Sequence, residues 1–173
     1  QERSVREILA DIGSDQRMLR LLQGDVGSGK TVVALLAMLC VVEDGRQAAL
    51  LAPTEILARQ HFNTLTGLMS GIGVEVRLLT GRDKTSARGL LLEEIASGRA
   101  QITVGTHALF QESVAYHDLA LAVIDEQHRF GVHQRLSLAG KGVGPVDVLL
   151  MTATPIPRTL TLTSYGDMDI SRL

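Results

Sequence analysis

Gly24-Asp25-Val26-Gly27-Ser28-Gly29-Lys30-Thr31 is the stretch that decides how this sequence folds. It has the G-x-x-x-x-G-K-[ST] spacing and directly follows a short apolar run at residues 20–23. Each residue type answers a chemical need. Glycines let backbone N–H groups curl round a phosphate without Cβ clashes. A helix starting at Lys30 adds its N-terminal amides and dipole to the same anion. Lys30 reaches the β- and γ-phosphates as a point charge, and Thr31 offers a hydroxyl to Mg²⁺. A strand, then a glycine-rich loop, then a helix is thus the unit from which the rest of the chain is read.

Further apolar runs follow at residues 48–52, 75–79, 102–104, 121–124 and 148–151, each short enough for a strand. Between them lie stretches of helical periodicity. In residues 55–69, Leu57, Phe62, Leu65, Leu68 and Met69 recur at helical spacing, and in 86–97 Leu91, Leu92, Ile95 and Ala96 do the same. Strands alternating with helices predict an α/β fold, a mostly parallel sheet flanked by helices as a three-layer sandwich. Ligands of such sheets bind beyond the carboxyl ends of the strands, so the strand-to-helix junctions are where function is sought.

The 173 residues are one domain's worth of chain, and a hydrophobic content of 45% is enough for a single core. The apolar run at 32–42 is too short to span a bilayer and reads as a buried helix. Cys40 is the sole cysteine and reads as a core residue, so no internal disulfide can form. With no secretory leader in view, the expected location is the cytoplasm. A net charge of −2 argues against a strongly basic nucleic-acid face. Aromatic residues make up 3% of the chain and Trp is absent, which argues against base stacking on aromatic platforms; any DNA contact should go mainly to the backbone.

A loop that holds phosphates needs a metal carboxylate and a group that orients water. Residues 119–126, LALAVIDE, end an apolar strand in two acids. Asp125 is expected to hold Mg²⁺ and Glu126 to polarise the attacking water, completing an ATP site. His128, three residues after Asp125, could link the γ-phosphate region to a neighbouring segment. His107 follows a strand end and is a candidate for a backbone phosphate. His61, His117 and His133 read as surface residues, and no spacing among the histidines suggests zinc. Thr54 is placed to cap a helix from Glu55. Pro155 and Pro157 suit a stiff connector, and Arg158 could pair with an acid or a phosphate.

Taken together, GDVGSGKT (24–31), DEQHRFG (125–131) and TATPIPRTL (152–160) resemble the superfamily 2 helicases, and within them the RecG family of branched-DNA helicases, with the transcription-repair coupling factors next. The blocks fall in family order and cover nearly the whole chain. The resemblance implies a RecA-like P-loop NTPase fold over residues 1–173, the first of two motor lobes, with ATP and Mg²⁺ as cofactors. It implies an adenine-reading role for Gln1. It implies DNA contacts at Pro53, Thr54 and Arg59, at Thr80 and Gly81, and at Gly105, Thr106 and His107. It implies that Thr152, Ala153 and Thr154 relay the state of ATP to the grip on DNA. A second lobe of the same chain would bring arginine fingers. That lobe and a DNA-wedge domain are not found in this sequence, so it reads as a fragment of a longer, monomeric, nucleoid-associated bacterial protein, nearly inactive by itself. Holliday junctions and stalled forks are the implied substrates, in recombination and repair.

Other readings are a coupling-factor lobe that displaces RNA polymerase, a nucleotide switch, a small-molecule kinase and a non-catalytic binding module. A guanine-specific switch would use an Asn-Lys-x-Asp segment, whereas the sole asparagine, Asn63, sits in a helical stretch.

Overall fold

The computed structural model describes residues 1–81, 85–125, 141–154 and 168–173. Its strands are β1 (Leu19–Gln23), β2 (Gln47–Leu51), β3 (Val76–Leu79), β4 (Ile102–Gly105), β5 (Leu119–Asp125), β6 (Asp147–Thr152) and β7 (Asp169–Arg172). Its helices are α1 (Glu2–Ile12), α2 (Lys30–Glu43), α3 (Glu55–Met69) and α4 (Thr85–Ala96), with a 3-10 turn at His107–Phe110. The strands form a seven-stranded sheet in the order β3-β4-β2-β5-β6-β1-β7. Every neighbouring pair is parallel.

A parallel sheet covered on both faces needs apolar residues on successive positions, not alternate ones. Strand β5 has that pattern: every residue from Leu119 to Ile124 is buried. In β2, Ala48 and Leu50 join one core cluster while Ala49 and Leu51 join the other. The first cluster is closed by α1, α2 and α3 through residues such as Ile8, Val33, Met38, Ala58 and Leu65. The second is closed by Ile95 of α4, by Ala108 and Leu109 of the 3-10 turn, and by Val114 and Tyr116. Leu121 is wholly buried, and a side chain of that kind contributes about 1.5–3 kcal/mol relative to an exposed one.

The expected strands all occur, with ends displaced by a residue or two. Helix α3 has the expected bounds, and Leu57 N donates to the Thr54 side chain at its start, 3.3 Å away. Some inward positions differ from expectation. Leu68 is 53% exposed because Ala58, Leu65 and Met69 define the buried stripe of α3. Ala96 is exposed at the end of α4, just before the turn that leads into β4. Cys40 is half-buried rather than fully buried, and burial, aided by Asp44 and Glu43, pushes its thiol pKa up, away from reactivity.

Two elements were not anticipated, α1 and β7. They share one polar anchor. Arg20 of β1, with a side chain 10% exposed, donates to Asp11 of α1 at 2.7 Å and to Ser171 of β7 at 3.0 Å. Glu7 of α1 lies 3.7 Å from the same guanidinium and also accepts from Ser171. A buried arginine is tolerable because its donors are met by this fork of partners.

Candidate nucleotide site and sheet edge

Because the strands are parallel, all their carboxyl ends lie on one edge of the sheet, and the motifs read from the sequence gather there. The loop after β1 enters α2 through Gly27 at φ +80° and Gly29 at φ +91°, left-handed values that glycine adopts without a Cβ penalty. Gly29 is the N-cap of α2, and no side chain caps that end. The Lys30 ammonium folds into the loop, donating to the carbonyls of Gly24 (2.6 Å) and Asp25 (2.8 Å). Among the described residues the buried Ser28 hydroxyl has no hydrogen-bond partner, and a Cβ on Gly24 would lie 2.6 Å from it. Gln1 closes the loop from the other side: its amide donates to the Ser28 carbonyl at 2.8 Å. A cationic side chain, a helix end with no side-chain cap and an unpartnered hydroxyl in a glycine cradle are what a phosphate requires, so the residues present fit the phosphates of a nucleotide.

Asp125 ends β5, in register with Met151 of β6, which itself pairs with Leu22 of β1. The carboxylate is thus two strands from the phosphate loop, on the same edge. It is 17% exposed, and one of its oxygens accepts a 2.6 Å hydrogen bond from His61 Nε2, whose ring is 13% exposed. His61 therefore is not the surface residue that its type suggested. The signal was in its position: it lies three residues after Ala58 and four before Leu65, on the stripe of α3 that faces the sheet. Among the described residues one oxygen of this carboxylate is engaged by a side chain, and a carboxylate held in this way suits a hard divalent cation such as Mg²⁺. Glu126 and His128, expected beside it, lie outside the described residues, as do His133, Pro155, Pro157 and Arg158.

The end of β6 is tied to the root of the phosphate loop. Gly24 N donates to the Thr152 carbonyl (3.2 Å), and the Gln23 amide donates to the Thr154 carbonyl (3.2 Å). The two threonine hydroxyls are 3.0 Å apart, and Thr154 N donates to the Thr152 hydroxyl at 3.2 Å. Ala153 links them.

The ends of β2, β4 and β3 form the other half of the edge. Pro53, Thr54, Arg59, Gly81 and His107 are exposed there. Thr80 and Thr106 are 0% and 5% exposed, so their side chains face the fold and not solvent. Gly105 is also buried, and a Cβ on it would lie 2.2 Å from the Leu79 carbonyl; glycine is needed for the close passage of β4 beside β3. The Thr80 carbonyl accepts from Arg88 at 3.2 Å, a contact the sequence did not suggest.

A phosphate loop on β1, an acid ending β5, and threonines at and just after the end of β6 tied to that loop agree with a family model described as DEAD/DEAH box helicase, which matches residues 1–163. The chain belongs to the DEAD/DEAH box helicases. Along 171 residues this helicase chain is 58% identical to the ATP-dependent DNA helicase RecG of Streptococcus pneumoniae, covering 99% of the chain and 25% of the relative. It is 55% identical over 174 residues to the RecG of Escherichia coli K12, with the same coverage of each. A solved structure of RecG bound to a three-way DNA junction superposes with a TM-score of 0.85 at 46% identity, over 98% of this helicase chain and 22% of that one. The helicase domain of Pyrococcus furiosus Hef shares the fold at 22% identity, with a TM-score of 0.69. The helicase chain thus spans about a quarter of the length of the curated relatives it matches. Among the described residues, no helix is long and apolar enough to cross a membrane.

Proposed function

We propose that this chain is the ATP-binding motor lobe of a DNA translocase that acts on branched DNA in recombination and repair. The observation that carries the reading is the phosphate loop with its inward lysine, set on the same sheet edge as Asp125, in a chain 58% identical to a RecG helicase. Gln1 reads the adenine and Gly24 to Thr31 hold the phosphates. Lys30 exchanges the carbonyls of Gly24 and Asp25 for phosphate oxygens. Thr31 and Asp125 hold Mg²⁺, which when bound neutralises charge that builds on the transferring phosphoryl group. Glu126 orients water, and His128 links that region to a neighbouring segment.

The tie between the Thr152 segment and the loop root passes the nucleotide's state along the edge. Pro53, Thr54, Arg59, Gly81 and His107 meet DNA phosphates, while Thr80, Gly105 and Thr106 shape the strand ends beneath them. A second RecA-like lobe of the same protein closes over ATP with an arginine finger, a contribution of roughly 10³–10⁵ in rate in related phosphoryl transfer. The whole protein works in the bacterial cytoplasm at the nucleoid, as a monomer.

The test is ATP turnover by the full helicase bearing this lobe, at one salt concentration, with no DNA, linear duplex and a model fork. Strong stimulation by the fork over linear duplex is expected, and absence of stimulation by any DNA overturns the translocase reading. Lys30→Ala is expected to weaken ATP binding at least tenfold, or more than about 1.4 kcal/mol.

A further inference from the structure

We infer that His61 is a positioning residue of the nucleotide site: its Nε2–H fixes the Asp125 carboxylate in one rotamer and so presents the other oxygen to the metal. The inference rests on the ATP reading proposed above. A carboxylate oxygen accepts, so the ring nitrogen is the donor across the 2.6 Å contact. Both partners are largely shielded, at 13% and 17% exposure, where a hydrogen bond to a charged group is stronger and more directional than in water.

The placement is specific to the edge of the sheet. Asp125 lies one residue beyond Ile124, the last residue of β5 paired with β2, and α3 follows β2. Ala58 and Leu65, on either side of His61 along the α3 stripe, are both 0% exposed and pack into the core. An apolar side chain between them would serve packing better, because an imidazole there must lose part of its hydration. What the imidazole supplies is a donor aimed at the carboxylate. Carboxylates that bind metals are held by such outer partners, and loss of the partner typically costs 10–100-fold in metal affinity. The same helix is capped by Thr54, about two turns or ~10 Å before His61. The segment proposed to meet DNA and the group that orients the metal ligand are therefore parts of one rigid rod.

The experiment compares the affinity of the chain for Mn²⁺–AMP-PNP, read from the electron paramagnetic resonance of bound Mn²⁺, with its affinity for metal-free AMP-PNP. Variants are His61→Leu and His61→Ala, which remove the donor with and without filling the space, and His61→Gln, which keeps an N–H. The expected result is a 10–100-fold loss for the metal complex in the Leu and Ala variants, unchanged metal-free binding, and recovery in His61→Gln. Wild-type affinity for the metal complex in either folded donor-less variant overturns the role. A wild-type chain that binds nucleotide without regard to metal, or a Lys30→Ala chain that binds it as well as wild type, overturns the ATP-site reading and the role of His61 with it.

Discussion

His61 on α3 and Asp125 at the end of β5 are 2.6 Å apart, and the hydrogen bond between them joins the helix after β2 to the acid two strands from the phosphate loop on the same sheet edge. Its contribution to folding is separable from any role with metal. Asp125→Ala leaves a shielded ring N–H without its acceptor, at a cost of about 1–3 kcal/mol. Asp125→Asn retains a carbonyl oxygen and is expected to lose less. Urea denaturation in EDTA decides this, and an Ala variant as stable as wild type would refute it.

Gly29 is under two constraints, whereas Gly27 is under one. Both have positive φ, but a Cβ on Gly29 would lie 2.2 Å from the Gln1 amide nitrogen, and one on Gly27 meets nothing within 4 Å. Each Ala substitution carries left-handed strain of roughly 1–2 kcal/mol. Gly29→Ala also displaces Gln1. It is expected to weaken discrimination of ATP from GTP more than Gly27→Ala does, and Gln1→Ala is expected to reproduce that part of the defect. Competition binding with the two nucleotides provides the readout, and equal defects in the two glycine variants would count against it.

Arg20 holds α1 and β7 to β1. Arg20→Met removes the cation and leaves Asp11, Glu7 and Ser171 to rearrange. Breaking a fully buried pair costs about 3–5 kcal/mol, and since Asp11 and Glu7 are 28% and 37% exposed, roughly 2–3 kcal/mol is expected here. Hydrogen exchange should show the loss first in α1 and β7. Uniform loss of protection across the sheet would mean that Arg20 does not act locally.

Two acids make opposite contributions to pH dependence. Burial raises the Asp147 pKa, against the Met18 N–H it accepts at 2.7 Å and the nearby Arg46 and Arg17. A carboxyl raised in the folded state adds stability that is present below its unfolded pKa and lost as pH rises through the folded value. Glu94 is lowered, chiefly by its hydrogen bond from Arg77, so its contribution is present above the unfolded pKa and lost as pH falls through the folded one. Urea midpoints followed from about pH 3 to about pH 7 should fall less on the acid side in Glu94→Gln and hold or rise near neutrality in Asp147→Asn. The reverse slopes would contradict the assignment.

Much of the fold was legible because a sheet buried on both faces writes itself as apolar runs, as at residues 119–124. The phosphate loop was legible because glycine and lysine spacing has few other uses. Strand β7 was not, because Asp-Ile-Ser-Arg has no apolar run and lies at the sheet edge, where β1 supplies its hydrogen bonds. In α1, Ser4 and Ile8 alone are fully buried, too sparse a stripe to stand out among its charges. His61 was missed for another reason: the histidines were read by residue type, while its place between Ala58 and Leu65 on α3 carried the information. No sequence pattern announces that Arg88 will hold the Thr80 carbonyl, since that contact joins a helix residue to the residue just past the end of β3.

The pairing of β7 with β1 has a consequence for anyone dividing this protein into pieces. Arg20 to Gln23 are in register with Asp169 to Arg172, and Leu173 N donates to the Gln23 carbonyl just before the phosphate loop. A boundary drawn before Asp169 would strip these residues away and turn the strand that launches the loop into an open border of unpaired amides and carbonyls. Such a border recruits strands from other molecules, so the truncated piece would self-associate and precipitate.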